Sequence, residues 1–86
     1  MAGKLHFSLV APERQLFSAE VDQVDAPGLE GDFGVLYGHA PFMTALKAGA
    51  VTVYDGATTR VFNIEGGFAD VTPQGLTILA EHAVEA

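Results

Sequence analysis

Short segments in which apolar and polar residues alternate recur along this chain, and turn-forming residues separate them. In the first segment Leu5, Phe7 and Leu9 occupy every second position, and Pro12 ends the run. A period of two is typical of a β-strand that buries one face, whereas no window of the sequence shows sustained helical periodicity. The pattern predicts an all-β protein, a two-sheet antiparallel β-sandwich or flattened barrel of short strands.

Two turns are indicated by residue type. Asp55 and Gly56 lie between the strand-like segments 50–54 and 60–64, and this dipeptide tolerates the positive φ angles of tight hairpins. Residues 72–75 (Thr-Pro-Gln-Gly) also read as a turn, because proline presets φ at its second position. We expect a β-hairpin at the first site and a turn into a strand over 76–80 at the second.

Two segments depart from strict alternation. Val21 and Val24 are three positions apart, which predicts a bulge or bend between them. Residues 40–48 are compatible with a turn or two of helix. The residues expected to fill the core between the two sheets are Leu5, Phe7, Leu9, Val21, Val51, Val53, Ile64, Leu76 and Ile78.

The length of the chain limits its stability. Residues 1–86 form one predicted domain, and a domain of this size buries only about 60–65% of the surface that its unfolded chain exposes. The chain has no cysteine, so disulfides and thiolate metal sites are excluded, and a reducing compartment is favoured. The amino-terminal region does not resemble a secretory signal, and the apolar runs are far shorter than the roughly 20 residues of a membrane span.

The charge of the chain is strongly acidic. Eleven Asp and Glu residues oppose four cations, which gives a formal net charge of −7. Nucleic-acid binding needs clustered Lys and Arg to neutralise phosphates, so no nucleic-acid partner is expected. Because 49% of the residues are apolar, some apolar surface is expected to remain for a protein partner.

Catalytic and metal-binding patterns are not recognisable in the sequence. His6, His39 and His82 are too dispersed for a zinc pair. Ser8 and Ser18 lie in strand-like segments without the glycine-flanked elbow of a hydrolase nucleophile. We therefore expect no enzyme activity, no bound metal and no cofactor.

The densest run of acidic residues falls between positions 22 and 32, and its spacing does not match a calcium loop. In an arbitrary protein such a run is a solvated edge that discourages aggregation of sheets. The run consists of Asp22, Asp25, Glu30 and Asp32.

Residues 26–49 contain the pattern G-L-E-G-D-F-G-V-L-Y-G-H-A-P, followed by an apolar pair, Thr44 and the segment Leu-Lys-Ala-Gly. This resembles the signature of the ε subunit of bacterial F-type ATP synthase. The resemblance continues in residues 11–18 and in residues 66–71 and 76–81, so it covers almost the whole chain. The order and spacing of these pieces together are highly specific.

The resemblance implies a ten-stranded β-sandwich that packs on the γ subunit and sits on the polar loops of the membrane c-ring. Such a subunit is a non-catalytic part of the rotor, and it couples proton flow to ATP synthesis. Its place is the cytoplasmic face of the bacterial inner membrane, where it touches the membrane only through the complex. The implied interface residues are Glu30, Asp32, Phe33, Tyr37, His39, Ala40, Pro41, Phe42, Met43 and Thr44.

The sequence departs from the family pattern in two places. Tyr37 stands where the family usually has proline, which is expected to loosen that turn. Family members commonly continue into an α-helical hairpin after the sandwich, whereas this sequence stops at Ala86. ATP binding and latch-type inhibition of ATP hydrolysis, which belong to that hairpin, are therefore not expected.

Two other functional classes compete with the rotor subunit. A small-ligand-binding β-sandwich would need a concave apolar pocket with converging polar groups. A minimal hydrolase would need a nucleophile with an adjacent base. Neither feature is visible in the sequence.

Overall fold

A computed structural model describes residues 4–38 and 40–86. Within these ranges the chain forms β-strands and turns, and it contains no helix that could cross a membrane. The ten strands are β1 (Leu5–Ala11), β2 (Arg14–Val21), β3 (Gln23–Ala26), β4 (Phe33–Leu36), β5 (Phe42–Leu46), β6 (Gly49–Asp55), β7 (Thr58–Ile64), β8 (Gly67–Val71), β9 (Gly75–Ala80) and β10 (Ala83–Glu85).

The strands form two five-stranded sheets that pack face to face. The first sheet has the order β2-β1-β9-β8-β5, and the second has the order β10-β7-β6-β3-β4. The predicted all-β sandwich is confirmed. One pairing differs from the antiparallel expectation, because β1 and β9 run parallel. The two strands are far apart in sequence, so no hairpin constrains their relative direction.

Alternating side chains fill the space between the sheets. All nine residues predicted for the core are at most 3% exposed. Strand β1 illustrates the rule, since Leu5, Phe7 and Leu9 are fully buried while His6 between them faces solvent. The core also includes residues that the sequence analysis did not select, among them Val24, Val35, Phe62 and Val71.

Both predicted turns are present. Strands β6 and β7 pair from Gly49↔Ile64 to Asp55↔Thr58, and Gly56 in the turn has a φ of 62°. In the second turn the amide of Thr72 donates to the carbonyl of Gly75 at 2.8 Å, and the Gly75 amide donates back to the Thr72 carbonyl at 3.2 Å.

The irregular spacing of Val21 and Val24 marks the point where the chain leaves one sheet for the other. Strand β2 ends at Val21 in the first sheet, and β3 begins one residue after Asp22 in the second. Both valines remain buried because the bend at Asp22 resets the alternation. The predicted bend is therefore confirmed.

The interpretation of residues 40–48 as a helical turn is wrong. Phe42–Leu46 form strand β5, which pairs with β8 from Phe42↔Val71 to Leu46↔Gly67. Pairing with a long-range partner outweighs the helix propensity of the alanines, since propensity is a weak local preference.

Candidate protein-interaction surface

Loop 27–32 connects β3 to β4 in the second sheet, and it forms hydrogen bonds to the first sheet along one side of the sandwich. The amide of Leu29 donates to the carbonyl of Ala45 at 2.9 Å, and the amide of Lys47 donates to the carbonyl of Pro27 at 3.0 Å. Gly28 also forms a β-bridge with Leu46. We call this side, made of loop 27–32 with edge strands β4 and β5, the seam.

Gly28 allows the loop to fold tightly against the seam. A Cβ atom at this position would lie 2.3 Å from the carbonyl oxygen of Gly31 and 3.0 Å from the Phe33 ring. In the folded chain the Gly31 amide donates to the Gly28 carbonyl at 3.1 Å. The glycine is therefore required by close backbone approach.

Glu30 and Asp32 are held at the exposed tip of this loop. The Asp32 side chain is 76% exposed, and its nearest cation, the Nζ atom of Lys47, lies 3.8 Å away. An ion pair of this length and exposure contributes little to stability. Both carboxylates are thus accessible to the basic surface of a partner.

Phe33 and Phe42 have a structural part in the seam. Their ring centroids are 5.4 Å apart with an interplanar angle of 71°, an edge-to-face contact. Both rings are partly buried against the core. These two predicted interface residues therefore connect β4 of one sheet with β5 of the other.

The remaining predicted residues follow β4 or lie in β5. Met43 and Tyr37 are 67% and 48% exposed, and Ala40 and Pro41 are also exposed. Thr44 is half-buried, and its hydroxyl donates to the carbonyl of Ala45 at 3.4 Å. His39 lies outside the described residues.

The turn that carries Tyr37 is anchored despite the absence of the family proline. The amide of Gly38 donates to the carbonyl of Pro73 at 2.8 Å, and Gly38 has a φ of 83°.

The sequence analysis missed an exposed apolar row on the outer face of the first sheet. The register aligns Val10 with Leu79, Leu79 with Phe68, and Phe68 with Ala45. Phe68 and Leu79 are 54% and 51% exposed. Met43 continues this apolar row on β5, two residues from Ala45. The available signal was alternation, because Phe68 precedes the buried Ala69 and must point outward.

A groove of about 570 Å³ lies beside the seam, with Asp25, Asp32 and Lys47 in its wall. Asp25 accepts a hydrogen bond from the Gln23 side chain at 2.7 Å. The negative charge of Asp25 raises the pKa of Tyr54. The groove is open to solvent, whereas a small-ligand pocket buries most of its ligand.

Residues 4–38 and 40–86 contain no group of three or more His, Asp or Glu side chains placed to hold a metal ion. The two serines considered as nucleophiles face each other across β1 and β2, with their hydroxyl oxygens 3.4 Å apart. This is an exposed cross-strand polar pair.

An acidic loop tip and an exposed apolar row on a β-sandwich are features typical of a surface that binds another protein. A family model described as "ATP synthase, Delta/Epsilon chain, beta-sandwich domain" matches residues 4–86. The chain therefore belongs to the family of ATP synthase delta and epsilon chains.

Curated relatives carry the name ATP synthase epsilon chain. The protein of Caulobacter vibrioides is 80% identical over 83 residues, which cover 96% of each chain. The protein of Hyphomonas neptunium is 67% identical over 84 residues, and that of Maricaulis maris is 65% identical over 85 residues. The chain covers 62% and 63% of the lengths of these two relatives.

Two solved structures share the fold. A chain of the Euglena gracilis mitochondrial ATP synthase, solved as OSCP/F1/c-ring, matches with a TM-score of 0.90 at 27% identity. That match covers 99% of this chain and 55% of the other. A chain of the Tetrahymena thermophila mitochondrial ATP synthase central stalk and c-ring matches with a TM-score of 0.81 at 13% identity, covering 96% and 67%. The second likeness concerns the fold alone.

Proposed function

We propose that this chain is a non-catalytic central-stalk subunit of a proton-translocating F-type ATP synthase. It docks the γ subunit to the membrane c-ring and supports the coupling of proton flow to ATP synthesis. Its location is the cytoplasmic face of the bacterial inner membrane, as a peripheral member of the complex. The observation that carries the proposal is the seam, which holds two carboxylates in solvent on a rigid backbone.

The acidic tip and the apolar row are proposed to contact different partners. The acidic tip at Glu30 and Asp32 attracts basic loops of the c-ring, and such rim charges set encounter and register more than affinity. The apolar row containing Phe68 and Leu79 suits a lasting contact with γ, because exposed apolar patches mark protein interfaces. Met43 lies on strand β5, at the edge of the first sheet.

The acidic tip is tested by reversing its charge in the assembled complex. We expect the double variant Glu30→Lys, Asp32→Lys to lose part of its proton-driven ATP synthesis, and to lose more at low ionic strength. The matched control is Glu13→Lys, Glu20→Lys, which reverses two exposed carboxylates of the β1–β2 hairpin, at the edge of the first sheet opposite β5. If the variant folds normally and its ATP synthesis is unchanged at every ionic strength, Glu30 and Asp32 are solvated surface residues with no part in the interface.

The apolar row is tested by direct binding to the isolated γ subunit. Phe68→Asp is expected to weaken binding by at least tenfold, since it places a charge in a desolvated contact. Val84→Asp serves as a control, because Val84 is 49% exposed and belongs to the second sheet. Equal binding by the two variants would exclude this face as the contact with γ.

A further inference from the structure

Strand β10 is held to the sandwich with little buried surface. It pairs with β7 through Ala83↔Ile64, Val84↔Asn63 and Glu85↔Phe62. Ala83 is its one buried side chain, and Val84 and Glu85 face solvent. Apolar burial therefore contributes little to the attachment of this strand.

A two-point ion pair compensates for this small burial. The Nε and Nη2 atoms of Arg60 on β7 donate to the two carboxylate oxygens of Glu85, each at 2.8 Å. This parallel, charge-assisted geometry fixes both side chains in one orientation. The carboxylate raises the pKa of Arg60, and the guanidinium lowers the pKa of Glu85.

The same guanidinium covers an aromatic cluster on the side of the sandwich opposite the seam. Its central carbon lies 4.7 Å from the centroid of the Phe17 ring and 5.8 Å from that of Phe62. Phe17 also packs against Phe7 with a centroid distance of 5.9 Å. Asp55 lines the groove beside Arg60, but it is paired with Lys4. Glu85 is thus the carboxylate that holds Arg60 over the rings.

We infer that β10 is a latch that opens locally while the rest of the sandwich stays folded. The Arg60–Glu85 pair sets how often it opens, because the strand has few buried contacts of its own. Opening frees one edge of β7 and removes Glu85 from Arg60, so the guanidinium is no longer held over Phe17 and Phe62. This inference does not depend on the proposed function, since it concerns the sandwich by itself.

Amide hydrogen exchange tests the latch in the complete protein. Two amides flanking the β7–β10 pairing report its opening. The amide of Ala86 donates to the Val61 carbonyl at 2.8 Å, and the amide of Glu65 donates to the His82 carbonyl at 3.1 Å. The reference amide is that of Asp22, which donates to the Tyr54 carbonyl at 2.9 Å. Glu85→Gln is expected to raise exchange about fivefold at the reporters and to leave the reference unchanged.

Two further variants make the result interpretable. Arg60→Lys keeps the charge but loses the two-point geometry, so it is expected to raise reporter exchange by a smaller factor. Asp70→Asn removes an exposed carboxylate on β8, in the first sheet, whereas β10 belongs to the second, and is expected to change none of the amides. If exchange rises equally at the reporters and at Asp22, or rises at none of them, the latch is overturned. If Glu85→Gln fails to fold, the ratio of reporter to reference exchange in Arg60→Lys decides the question.

Discussion

The two long sides of the sandwich are closed by different means. At the seam, backbone hydrogen bonds from loop 27–32 to β5 join the sheets, and the Phe33–Phe42 contact lies beside them. At the opposite side, where β2 and β10 are the edge strands, closure depends on side chains. There Arg60 and Phe17 cover the core.

This difference matters for function because backbone closure resists displacement. Backbone hydrogen bonds at Pro27, Leu29 and Gly31 restrain the loop on either side of Glu30, which lowers the ordering cost of binding. The opposite side depends on the exposed Arg60–Glu85 ion pair and the half-buried Phe17 ring. Salt or a binding partner can disrupt these side-chain contacts more easily. The acidic tip of the candidate interface lies on the backbone-closed side, and the latch lies on the other.

The largest expected effect comes from removing one ring on each side. Phe17→Ala should lower the free energy of unfolding by about 3 kcal/mol, because Phe17 contacts both Phe7 and Phe62. Phe42→Ala should cost about 2 kcal/mol, since the backbone bonds of the seam remain. Urea denaturation of both variants measures the difference. A larger loss for Phe42→Ala would contradict the comparison.

A smaller effect is expected from crowding the seam. Gly28→Ala should destabilise the fold by about 2 kcal/mol, because its Cβ meets the Gly31 carbonyl. Gly56→Ala is the control. A Cβ at Gly56 has no neighbour within 4 Å, and its φ of 62° makes alanine unfavourable by about 1 kcal/mol. Equal thermal shifts for the two variants would show that the close approach at Gly28 is unimportant.

The smallest effect concerns acid stability on the side closed by side chains. The Gly56 amide and Lys4 lower the pKa of Asp22, and Arg60 lowers the pKa of Glu85. The unfolded chain then takes up protons at a higher pH than the folded chain does, so these groups stabilise the fold above their ordinary pKa values of 3.8 and 4.5. That contribution should be lost progressively as pH falls through the lower, folded values.

The variant Asp22→Asn, Glu85→Gln isolates this contribution. Its denaturation midpoint should change less with pH than that of the wild type across the acidic range. Repeating the titration in 1 M salt provides the control, because screening weakens exposed pairs (Debye length about 3 Å). An unchanged pH dependence in the variant would assign the acid sensitivity to other carboxylates.

Sequence reasoning recovered the parts of this fold that depend on local chemistry. Alternation identified the buried face of β1, and the Asp55-Gly56 pair located the β6–β7 hairpin. The same reasoning failed at residues 40–48, where the choice of strand over helix depends on pairing with β8. It also did not find the apolar row of Phe68 and Leu79. Alternation could have placed each side chain at the surface, but the two become neighbours only through the register of β8 and β9.

For the candidate site, the family pattern in residues 26–49 identified the segment. It did not predict which of its side chains pack against the sandwich and which are exposed. The pattern treats Phe33 and Met43 alike, whereas Phe33 packs against Phe42 and Met43 is 67% exposed. Burial depends on which face of an edge strand meets the opposite sheet. That information is absent from the spacing of residues within one segment.

The sequence by itself therefore determined the all-β class, the positions of the tight turns, part of the core and the family. These follow from φ preferences, side-chain polarity and residue order, all of which are local properties. Tertiary structure alone decided the parallel pairing of β1 with β9, the closure of the seam and the placement of Arg60 over Phe17. Each of these brings together residues distant in sequence, so its free energy depends on contacts that form only when both sheets are assembled.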